Sequence, residues 1–376
     1  MLAGDALWDR VAGCLHGLLI GDALGSPVEG WTPDQISTEF GQLSDYIELR
    51  GRRWRPRGLH CDDGQQALAV LDAICRDPDH PERPFVELLV EMRDAASQRA
   101  GRYGLHRAVD REFRQTVRGL QGRFQGRRED PYAHATPSSS SGAAMRIAPA
   151  ALWYRSNFAI RNARVVQLSA VTHRDLRAIA GALAMTEAIS SMLVRRPPPV
   201  LTQRFCESLE DAEAKAAAQL ERTLDTRFST VLRELIHERR RVFDLDRLLA
   251  NIATRARTEA GADHEVEATS AFAPCSVLSA LALVDVCGSF EDTLVTAVNL
   301  GGKADSIGAM VGALAGARYG LAGIPQRWLD GLRATGTLLE RIEQVIHHSS
   351  GPCHPDLLKL EKGWDSLYEQ RPRRAR

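Results

Sequence analysis

The sequence predicts an all-α fold in which residues 1–376 form a single domain with a helical insertion. The first observation is that few segments alternate polar and apolar residues with the period of two that a strand requires. The second is that apolar residues recur at the i, i+3, i+4 spacing of a helix along most of the chain. The third is that hydrophobic residues make up 44% of the chain, which is enough to bury a large core.

Four helices have the clearest patterns. Residues 65–75 (QQALAVLDAIC) place apolar side chains on one face, and residues 175–193 are Ala-rich and amphipathic up to a run of prolines. Residues 276–286 and 307–319 are apolar nearly all round, which predicts two central, buried helices. The last helix carries small residues at intervals of four, and we expect them to pack tightly against a neighbouring helix: Gly308, Gly312 and Gly316.

Two charged regions interrupt these patterns and are predicted to be insertions. Residues 85–130 are Arg-rich and contain Gly-Arg repeats. Residues 200–260 carry many paired charges at helical spacing, which favours a solvated two-helix excursion over 203–257 rather than a binding surface. Residues 366–376 end in PRRAR and are predicted to form a frayed basic tail.

Charge and cysteine content narrow the class of function and the compartment. The 48 basic and 48 acidic residues balance, so we expect neither a nucleic acid nor a membrane as a partner. The seven cysteines form no CxxC pair, which favours reduced thiols and a cytoplasmic location. The apolar run at residues 11–20 is too short for a membrane span and lacks the flank of a signal peptide. Only four basic residues are lysines, so a lysine in a polar motif merits attention.

The first polar motif is GLLIGDALGSPVE, at residues 17–29. It places Asp22 where an apolar helix is still running, and a Gly-Ser-Pro turn follows. A buried carboxylate is costly unless it is hydrogen-bonded or binds a metal. On this segment alone, Asp22 is best interpreted as a structural hydrogen-bond acceptor.

The second motif is GLHCDDGQ, at residues 58–65, which places Asp62 and Asp63 directly before a strongly apolar helix. One interpretation is a helix N-cap that also interacts favourably with the helix dipole. The other is ligation of a hard cation such as Mg²⁺, which prefers one or two carboxylates and water.

The third motif is SSSSGAAMRIAP, at residues 138–149, where hydroxyl groups and a glycine lead into a helix. Hydroxyls and backbone N–H groups at a helix start can bind a phosphate, whereas the alternative is a flexible serine linker. The fourth motif is NLGGKADSI, at residues 299–307, directly before the apolar helix. Together the second and fourth motifs predict one composite site inside a helical bundle.

These motifs, in this order, resemble the ADP-ribosylglycohydrolase family of DraG-like enzymes, which remove ADP-ribose from proteins. Residues 17–29 match the family's GxxxGDALGxPxE, and residues 61–64 match its Thr-Asp-Asp-Thr segment. Residues 140–149 match GNGxxMRxxP, and residues 172–175 match a Thr-His segment. Residues 301–320 match GGDxDTIxxxxGAxxGAxxG. The resemblance spans about residues 12–345 and implies an orthogonal bundle of helices.

The resemblance also implies a cleft that holds two Mg²⁺ or Mn²⁺ ions and binds ADP-ribose or ADP-ribosylated protein. By position, the implied metal ligands are Cys61, Asp62, Asp63, Asp305 and Ser306. The implied catalytic residues are Glu29, Asp62, Asp63, Lys303 and Asp305. The implied substrate-binding residues are Ser138, Ser139, Ser140, Ser141, Gly142, His173, Gly301 and Gly302.

Five positions depart from the family pattern. Cys61 replaces a hydroxyl ligand with a soft sulfur, Gly64 and Ser306 replace threonines, and Ser141 replaces an asparagine. Lys303 replaces the first aspartate of Asp-x-Asp, and its repulsion of a divalent ion is of order 4 kcal/mol per unit charge product at about 4 Å. We therefore expect no intact two-metal centre, and one Mg²⁺ or Mn²⁺ site at most.

Three hypotheses about function follow from these departures. The first is an altered enzyme that acts at the anomeric carbon of ADP-ribose with one metal or none. The second is an inactive module that binds ADP-ribose or ADP-ribosylated protein. The third is an ordinary hydrolase that tolerates the lysine. In each case neighbouring carboxylates should keep Lys303 protonated, so that its ammonium stands in for one cation.

Overall fold

The computed structural model describes residues 4–48, 55–95, 97, 103–121, 130–224, 227–239, 244–262 and 266–370. Within these ranges the regular structure is helical, with isolated β-bridges and no strand, which confirms the predicted all-α fold. The described part contains seventeen α-helices: α1 (Gly4–Gly25), α2 (Pro33–Phe40), α3 (Asp62–Arg76), α4 (Glu82–Asp94), α5 (Arg111–Gln121), α6 (Ala148–Trp153), α7 (Phe158–Ala170), α8 (Leu176–Met192), α9 (Gln203–Gln219), α10 (Phe228–Arg239), α11 (Leu245–Glu259), α12 (Ala273–Val286), α13 (Phe290–Asn299), α14 (Ala304–Tyr319), α15 (Gln326–Gly331), α16 (Leu339–His347) and α17 (Leu357–Ser366).

Helices α1 and α14 form the centre of the bundle and run antiparallel with their backbones in contact. A Cβ atom placed on Gly17 would lie 2.1 Å from the carbonyl oxygen of Gly312, and one on Gly21 would lie 1.9 Å from that of Gly308. The interaxial distance of two helices depends on the side chains between them, so glycine allows the closest approach. The predicted tight packing of α14 is confirmed, and its partners are the glycines that α1 carries at the same interval.

Helix α1 is longer than the apolar run from which the sequence predicts no membrane span. The stretch Gly4–Val28 contains an 18-residue window with a mean hydropathy of 1.3, so it could cross a bilayer by length and composition alone. Its apolar window is 100% buried inside the fold, against α14 and other helices. A central core helix accounts for this apolar composition, because it is surrounded by protein on all sides.

The four helices with clear sequence patterns are present, and each begins or ends within a few residues of the prediction. Helix α3 begins at Asp62, and α8 begins after Asp175, whose side chain accepts a hydrogen bond from the Arg177 N–H. Helix α12 starts earlier than predicted, with Pro274 in its first turn, and α14 starts at Ala304. Hydrophobic periodicity therefore identified these helices, and of the four only α8 begins at a residue whose own side chain caps it.

The predicted two-helix excursion over 203–257 is wrong, because three helices occur there: α9, α10 and α11. They pack on one another and on α8 and α12. Each buries an apolar face, with Leu209, Leu235 and Ile252 as examples. The charged residues lie between these apolar positions, so charge spacing alone conceals the buried face of each helix.

The predicted Arg-rich insertion begins inside α4, whose Phe85 and Leu89 are fully buried in the core. Its residues 96, 98–102 and 122–129 lie outside the described part, as do residues 371–376 of the predicted tail. The start of that tail is helical rather than frayed, since residues 367–370 form a 3₁₀ turn after α17. The division into one domain with two insertions stays a prediction.

Candidate active site

The candidate site is a narrow cleft at the N-terminal ends of α3 and α14. One end of the cleft consists of acidic residues from these two helices together with Lys303. The other end consists of the serine-rich loop before α6 and the Thr-His pair after α7. The cleft therefore brings together motifs far apart in sequence, and its wall includes these predicted site residues: Asp62, Asp63, Ser140, Ser141, Gly142, His173, Lys303, Asp305 and Ser306.

Asp22 holds the first turn of α3 in place from the neighbouring helix α1. Its carboxylate accepts hydrogen bonds from the backbone N–H groups of Cys61, at 2.9 Å, and Gly64, at 2.7 Å. These are donors that a helix start leaves without an intrahelical partner. The interpretation of Asp22 as a structural hydrogen-bond acceptor is confirmed. The N-cap interpretation of Asp62 and Asp63 is wrong, because they lie within the first turn and Asp22 provides the cap.

Gly64 departs from the family pattern for a reason of packing. A Cβ atom at this position would lie 2.6 Å from the Leu19 side chain and 2.8 Å from the ring of His60. Real Cβ atoms essentially never approach this closely. The threonine of the family pattern would require both neighbours to move, so Gly64 is fitted to the surroundings of α3 in this chain.

The carboxylate cluster consists of Cys61, Asp62, Asp63 and Asp305, whose ligand atoms all lie within 4.8 Å of one another. The Cys61 thiol donates to Asp63 Oδ2 at 3.4 Å and faces Asp305 Oδ2 at 3.8 Å. Asp305 is held by the N–H of Ser306 at 2.8 Å, so its side chain points back across the first turn of α14. The cluster is buried apart from Asp62, which is partly exposed to the cleft.

The carboxylate cluster carries more negative charge than the described protein neutralises. Burial, together with Asp305 and Asp22, raises the pKa of Asp62 to about 8. Burial and neighbouring carboxylates also raise the pKa of Asp63 and of Asp305 well above the ordinary value. Asp63 Oδ1 is buried and has no hydrogen-bond partner among the described residues. An unpaired buried oxygen within such a donor set fits one bound cation.

Lys303 lies at the edge of the cluster and forms an ion pair with Glu29. Burial would lower the pKa of Lys303, but Asp305 and Glu29 outweigh it and raise that pKa. The expectation that carboxylates keep Lys303 protonated is confirmed. The ammonium bonds to Glu29, and the charges of Asp305 and Asp63 also act on it. The hypothesis that it stands in for one cation stays a prediction.

Arg146 connects the carboxylate cluster to the far end of the cleft. It is fully buried and donates to Gln66 Oε1 at 2.7 Å and to Thr172 Oγ1 at 2.6 Å. Gln66 in turn approaches Asp62 Oδ2 at 3.5 Å, one turn along α3. Burial lowers the pKa of Arg146 to about 9, which still leaves it charged near neutral pH. Arg146 thus places one fixed positive charge in the cleft wall.

His173 forms the other end of this polar chain. Its Nδ1 lies 2.7 Å from Thr172 Oγ1, and its Nε2 lies 3.1 Å from Ser140 Oγ. Burial and Arg146 lower the pKa of His173 to about 3, so the ring is neutral at physiological pH. A Cβ atom at Gly142 would lie 2.9 Å from this ring, which explains a glycine after the serine run. The loop is therefore a fixed wall rather than a free linker.

Besides Cys61, five predicted site residues support the cleft without forming its described wall. The Ser138 hydroxyl donates to Ser140 Oγ at 3.1 Å, and the Ser139 carbonyl accepts a hydrogen bond from the N–H of Ala273. Gly301 and Gly302 have positive φ angles and pack against the backbones of Trp31 and Thr269. They hold two loops together instead of facing the cleft. The fifth is Glu29, which reaches the site through Lys303.

Sequence reasoning missed several wall residues. Gln66 could have been found from its position one turn after Asp62. Arg146 lies within the third motif, residues 138–149, but the pattern of that motif assigned it no role. The predicted insertion also contributes the start of α5 to the wall, through Asp110 and Phe113. Its Arg-rich composition gave no signal of this contact.

A second buried charged group, here termed the Arg107 network, lies behind the first turn of α3. It consists of His60, Gln65, Arg107 and Glu361. Arg107 forms an ion pair with Glu361 and donates to the His60 carbonyl at 3.0 Å. Burial would raise the pKa of Glu361, but Arg107 and His60 outweigh it and lower that pKa. The network anchors α17 and the 103–109 segment to the helix that carries Asp62 and Asp63.

Comparisons with known proteins agree with this arrangement. A family model described as ADP-ribosylglycohydrolase matches residues 3–355. The chain is 24% identical over 341 residues to ADP-ribosyl-(dinitrogen reductase) glycohydrolase of Rhodospirillum rubrum, which covers 88% of this chain and 92% of that protein. It is 26% identical over 370 residues to ADP-ribosylhydrolase ARH3 of Bos taurus, covering 90% and 94%.

A solved structure described as an ADP-ribosylglycohydrolase-related protein complex has a TM-score of 0.64 and 23% sequence identity to this chain. The match covers 92% of this chain and 100% of that one. At this identity the likeness shows a shared fold.

Proposed function

Because the chain belongs to the ADP-ribosylglycohydrolase family, we propose that it acts at the anomeric carbon of ADP-ribose and removes ADP-ribosyl groups from protein. The observation that carries this proposal is the single cleft in which Asp62, Asp63 and Asp305 face a serine-rich wall closed by His173. One end offers charge for chemistry at a glycosidic bond, and the other offers hydroxyl groups and the buried charge of Arg146 for a nucleotide.

The carboxylate cluster and Ser306 would hold one divalent cation, with Mg²⁺ or Mn²⁺ as the family's usual choice. When bound, such an ion polarises the scissile bond and lowers the pKa of a water. A second ion is disfavoured because Lys303 brings a positive charge to the place of one carboxylate ligand. The proposed site is therefore a reworked one-metal site, with Lys303 and Glu29 at its edge.

The carboxylates of this chain suit the bond that would be broken. Cleavage at an anomeric carbon passes through an oxocarbenium-like transition state, in which positive charge develops on the sugar ring. Asp62, which is partly exposed to the cleft, can stabilise that charge or exchange a proton with water. The leaving group is the acceptor side chain, and water adds at the anomeric carbon.

The serine-rich wall suits the rest of the nucleotide. Ser140, Ser141 and Gly142 line the cleft, two of them with hydroxyl side chains, and Arg146 adds a buried positive charge behind them. Hydroxyl and N–H donors near a fixed cation favour a diphosphate. His173 remains neutral and hydrogen-bonds Ser140, so it fixes the wall in shape. We assign ADP-ribosylated protein as the substrate class and the cytoplasm as the location, where seven free thiols would stay reduced.

The ion pair between Lys303 and Glu29 favours a second candidate, a module that binds ADP-ribose without cleaving it. Glu29 matches an acidic residue of the family pattern that is implied to be catalytic, and here it forms an ion pair with Lys303. If this pair persists when nucleotide binds, Glu29 cannot act on the substrate. The chain would then recognise ADP-ribosylated protein and leave it unchanged.

Incubation with proteins that are ADP-ribosylated on arginine or serine, with and without chelator, tests both candidates. We expect release of ADP-ribose that depends on a divalent cation and is lost in Asp305→Asn. Release that persists in chelator would assign the role of the cation to Lys303 instead. Absence of release, together with measurable ADP-ribose binding by calorimetry, would establish the binding module.

Lys303→Asp provides an independent test of the one-metal site. It restores the carboxylate of the family pattern and removes the repulsion described above. We expect calorimetry to detect an additional bound Mg²⁺ or Mn²⁺ in this variant. Lys215→Asp, on the exposed face of α9, is the matched control and should gain no ion at the cleft. If Lys303→Asp gains none either, Lys303 does not stand at a metal-ligand position.

A further inference from the structure

We propose that Cys61 makes this cation site selective for a thiophilic divalent cation such as Zn²⁺, at the expense of Mg²⁺ and Mn²⁺. The inference rests on the proposed function only in using the same cleft, because it concerns which ion the residues hold. The proposed ligands of the ion are one sulfur and two or three carboxylate oxygens.

The geometry of Cys61 supports its role as a ligand. Its sulfur is buried, lies between Asp63 and Asp305, and faces one oxygen of each at 3.4 and 3.8 Å. The backbone N–H of Cys61 is bound by Asp22, which fixes the residue at the start of α3. A cation that bridged the two aspartates at this point would lie against the sulfur as well. The thiol cannot rotate to the surface, since the residue is only 3% exposed.

An independent observation indicates that the cluster lacks a partner. Asp63 Oδ1 is buried and unpaired within the described residues, although Asp63 itself is only 1% exposed. Lys303, the nearest basic residue, bonds to Glu29. No other basic side chain in the described ranges forms an ion pair with Asp62, Asp63 or Asp305. A buried acidic oxygen without a donor indicates a missing positive ligand.

The chemistry of the donors selects the ion. Mg²⁺ and Mn²⁺ prefer oxygen ligands, and Mg²⁺ keeps several waters, so a sulfur in the ligand set weakens their binding. Zn²⁺ is commonly held in four-coordinate sites by thiolate, imidazole and carboxylate groups. His60, although adjacent in sequence, is not part of the group whose ligand atoms lie within 4.8 Å of one another. The proposed donor set is therefore Cys61 with Asp62, Asp63 and Asp305.

The experiment measures metal binding by the metal-free full-length protein, without substrate. Co²⁺ replaces Zn²⁺ in such sites, and a bound thiolate produces a sulfur-to-cobalt charge-transfer absorption. We expect this absorption in the wild type and in Cys287→Ser, a control at the end of α12. Cys61→Ser should bind without it. Because most sites prefer Zn²⁺ to Mn²⁺, the decisive quantity is the ratio of the two affinities, which should fall at least about 100-fold in Cys61→Ser.

Three outcomes would overturn the inference: Co²⁺ binding without the charge-transfer absorption, an unchanged affinity ratio, or no binding of any divalent cation. Titration of the wild type with Cd²⁺, followed through its thiolate absorption, keeps the test independent of the folding of Cys61→Ser. ADP-ribose binding is measured separately by calorimetry. If ADP-ribose binds while the sulfur signal is absent, the selectivity is wrong and the proposed function stands. If the signal is present without ADP-ribose binding, the proposed function fails alone.

Discussion

The carboxylate cluster and the Arg107 network are both buried at the first turn of α3, and they differ in their pairing. In the Arg107 network, Glu361 has a guanidinium and an imidazole beside it, and its pKa is lowered. In the carboxylate cluster, Asp63 and Asp305 face other carboxylates, and their pKa values are raised. Burial opposes charge in both places, so the difference arises from the partner that each carboxylate meets.

This difference separates stability from function. In the Arg107 network the charge of Glu361 is paired with Arg107, and the network holds α17 and the 103–109 segment to α3. The carboxylate cluster is incomplete and carries repulsion that a bound cation would relieve. Perturbed carboxylates in a cleft are characteristic of functional sites. The two groups should therefore respond with opposite sign when a charge is removed.

The largest expected effect is on the Arg107 network. Arg107→Met should lower the free energy of unfolding by about 3–5 kcal/mol, because Glu361 would be left buried without its partner. Urea unfolding followed by circular dichroism measures this. Lys215→Met removes an exposed ion pair and is the matched control, with an expected change within about 0.5 kcal/mol. Similar losses in the two variants would mean that Arg107 does not stabilise the fold through Glu361.

Removal of one charge from the carboxylate cluster should have the opposite sign. Asp63→Asn should raise the free energy of unfolding of the metal-free protein by at least about 1.4 kcal/mol near neutral pH, because a neutral amide removes the cost of burying a carboxyl group whose pKa is raised well above its ordinary value. Urea unfolding in chelator measures the gain, with the exposed Asp34→Asn as control. Added cation should stabilise the wild type and not Asp63→Asn. A destabilised Asp63→Asn in chelator would contradict the unpaired cluster.

The pH dependence of the metal-free protein should also distinguish the two groups. The pKa of Asp62 is about 8 in the folded protein and about 4 in an unfolded chain, so stability from its protonated form is lost as pH rises between these values. The lowered pKa of Glu361 acts in the other direction, and its contribution is lost as pH falls through the acidic range. Urea midpoints measured in chelator from pH 5 to 8 should decline more in the wild type than in Asp62→Asn. Parallel profiles would exclude Asp62 as the cause.

The smallest expected effect concerns the ion pair between Lys303 and Glu29, which lies at the edge of the carboxylate cluster and is partly exposed to solvent. Lys303→Met breaks the half-exposed ion pair with Glu29, so stability should change by no more than about 1 kcal/mol. Any larger change would show that Lys303 neutralises the buried aspartates directly. Thermal unfolding in chelator and in excess cation separates the two cases, because only a direct role makes the loss sensitive to the cation.

Sequence patterns identified the helices around the site better than the contacts within it. Periodicity located α3 and α14, and motif order brought Asp62, Asp63, Asp305 and His173 to one cleft. The pairing of Lys303 with Glu29 was not predictable, because it depends on how loops 28–32 and 299–303 meet. That contact is set by two backbone hydrogen bonds, from the Gly30 N–H to the Gly302 carbonyl and from the Gly302 N–H to the Trp31 carbonyl.

The remaining errors arose where composition conceals burial. The three helices α9, α10 and α11 have charged outer faces, which hide their apolar positions from a reading of charge spacing. Arg107 lies in a segment that was predicted to be an Arg-rich insertion, yet it is only 3% exposed. An arginine can be buried when a carboxylate and carbonyl groups accept its protons, and the sequence does not show which partners will do so.

The glycine contact between α1 and α14 fixes the distance between the two helices that carry Asp22 and Asp305. At these glycines the backbones of α1 and α14 are in direct contact, so no side chain lies between them whose size could alter the distance between the helices. Asp22 lies near the C-terminal end of α1, and Asp305 lies in the first turn of α14. Substitutions elsewhere can then change which ion or acceptor binds, as we propose for Cys61 and Lys303, while the distance between α1 and α14 stays the same. The contact between α1 and α14 thus allows the chemistry of the site to change while the fold is preserved.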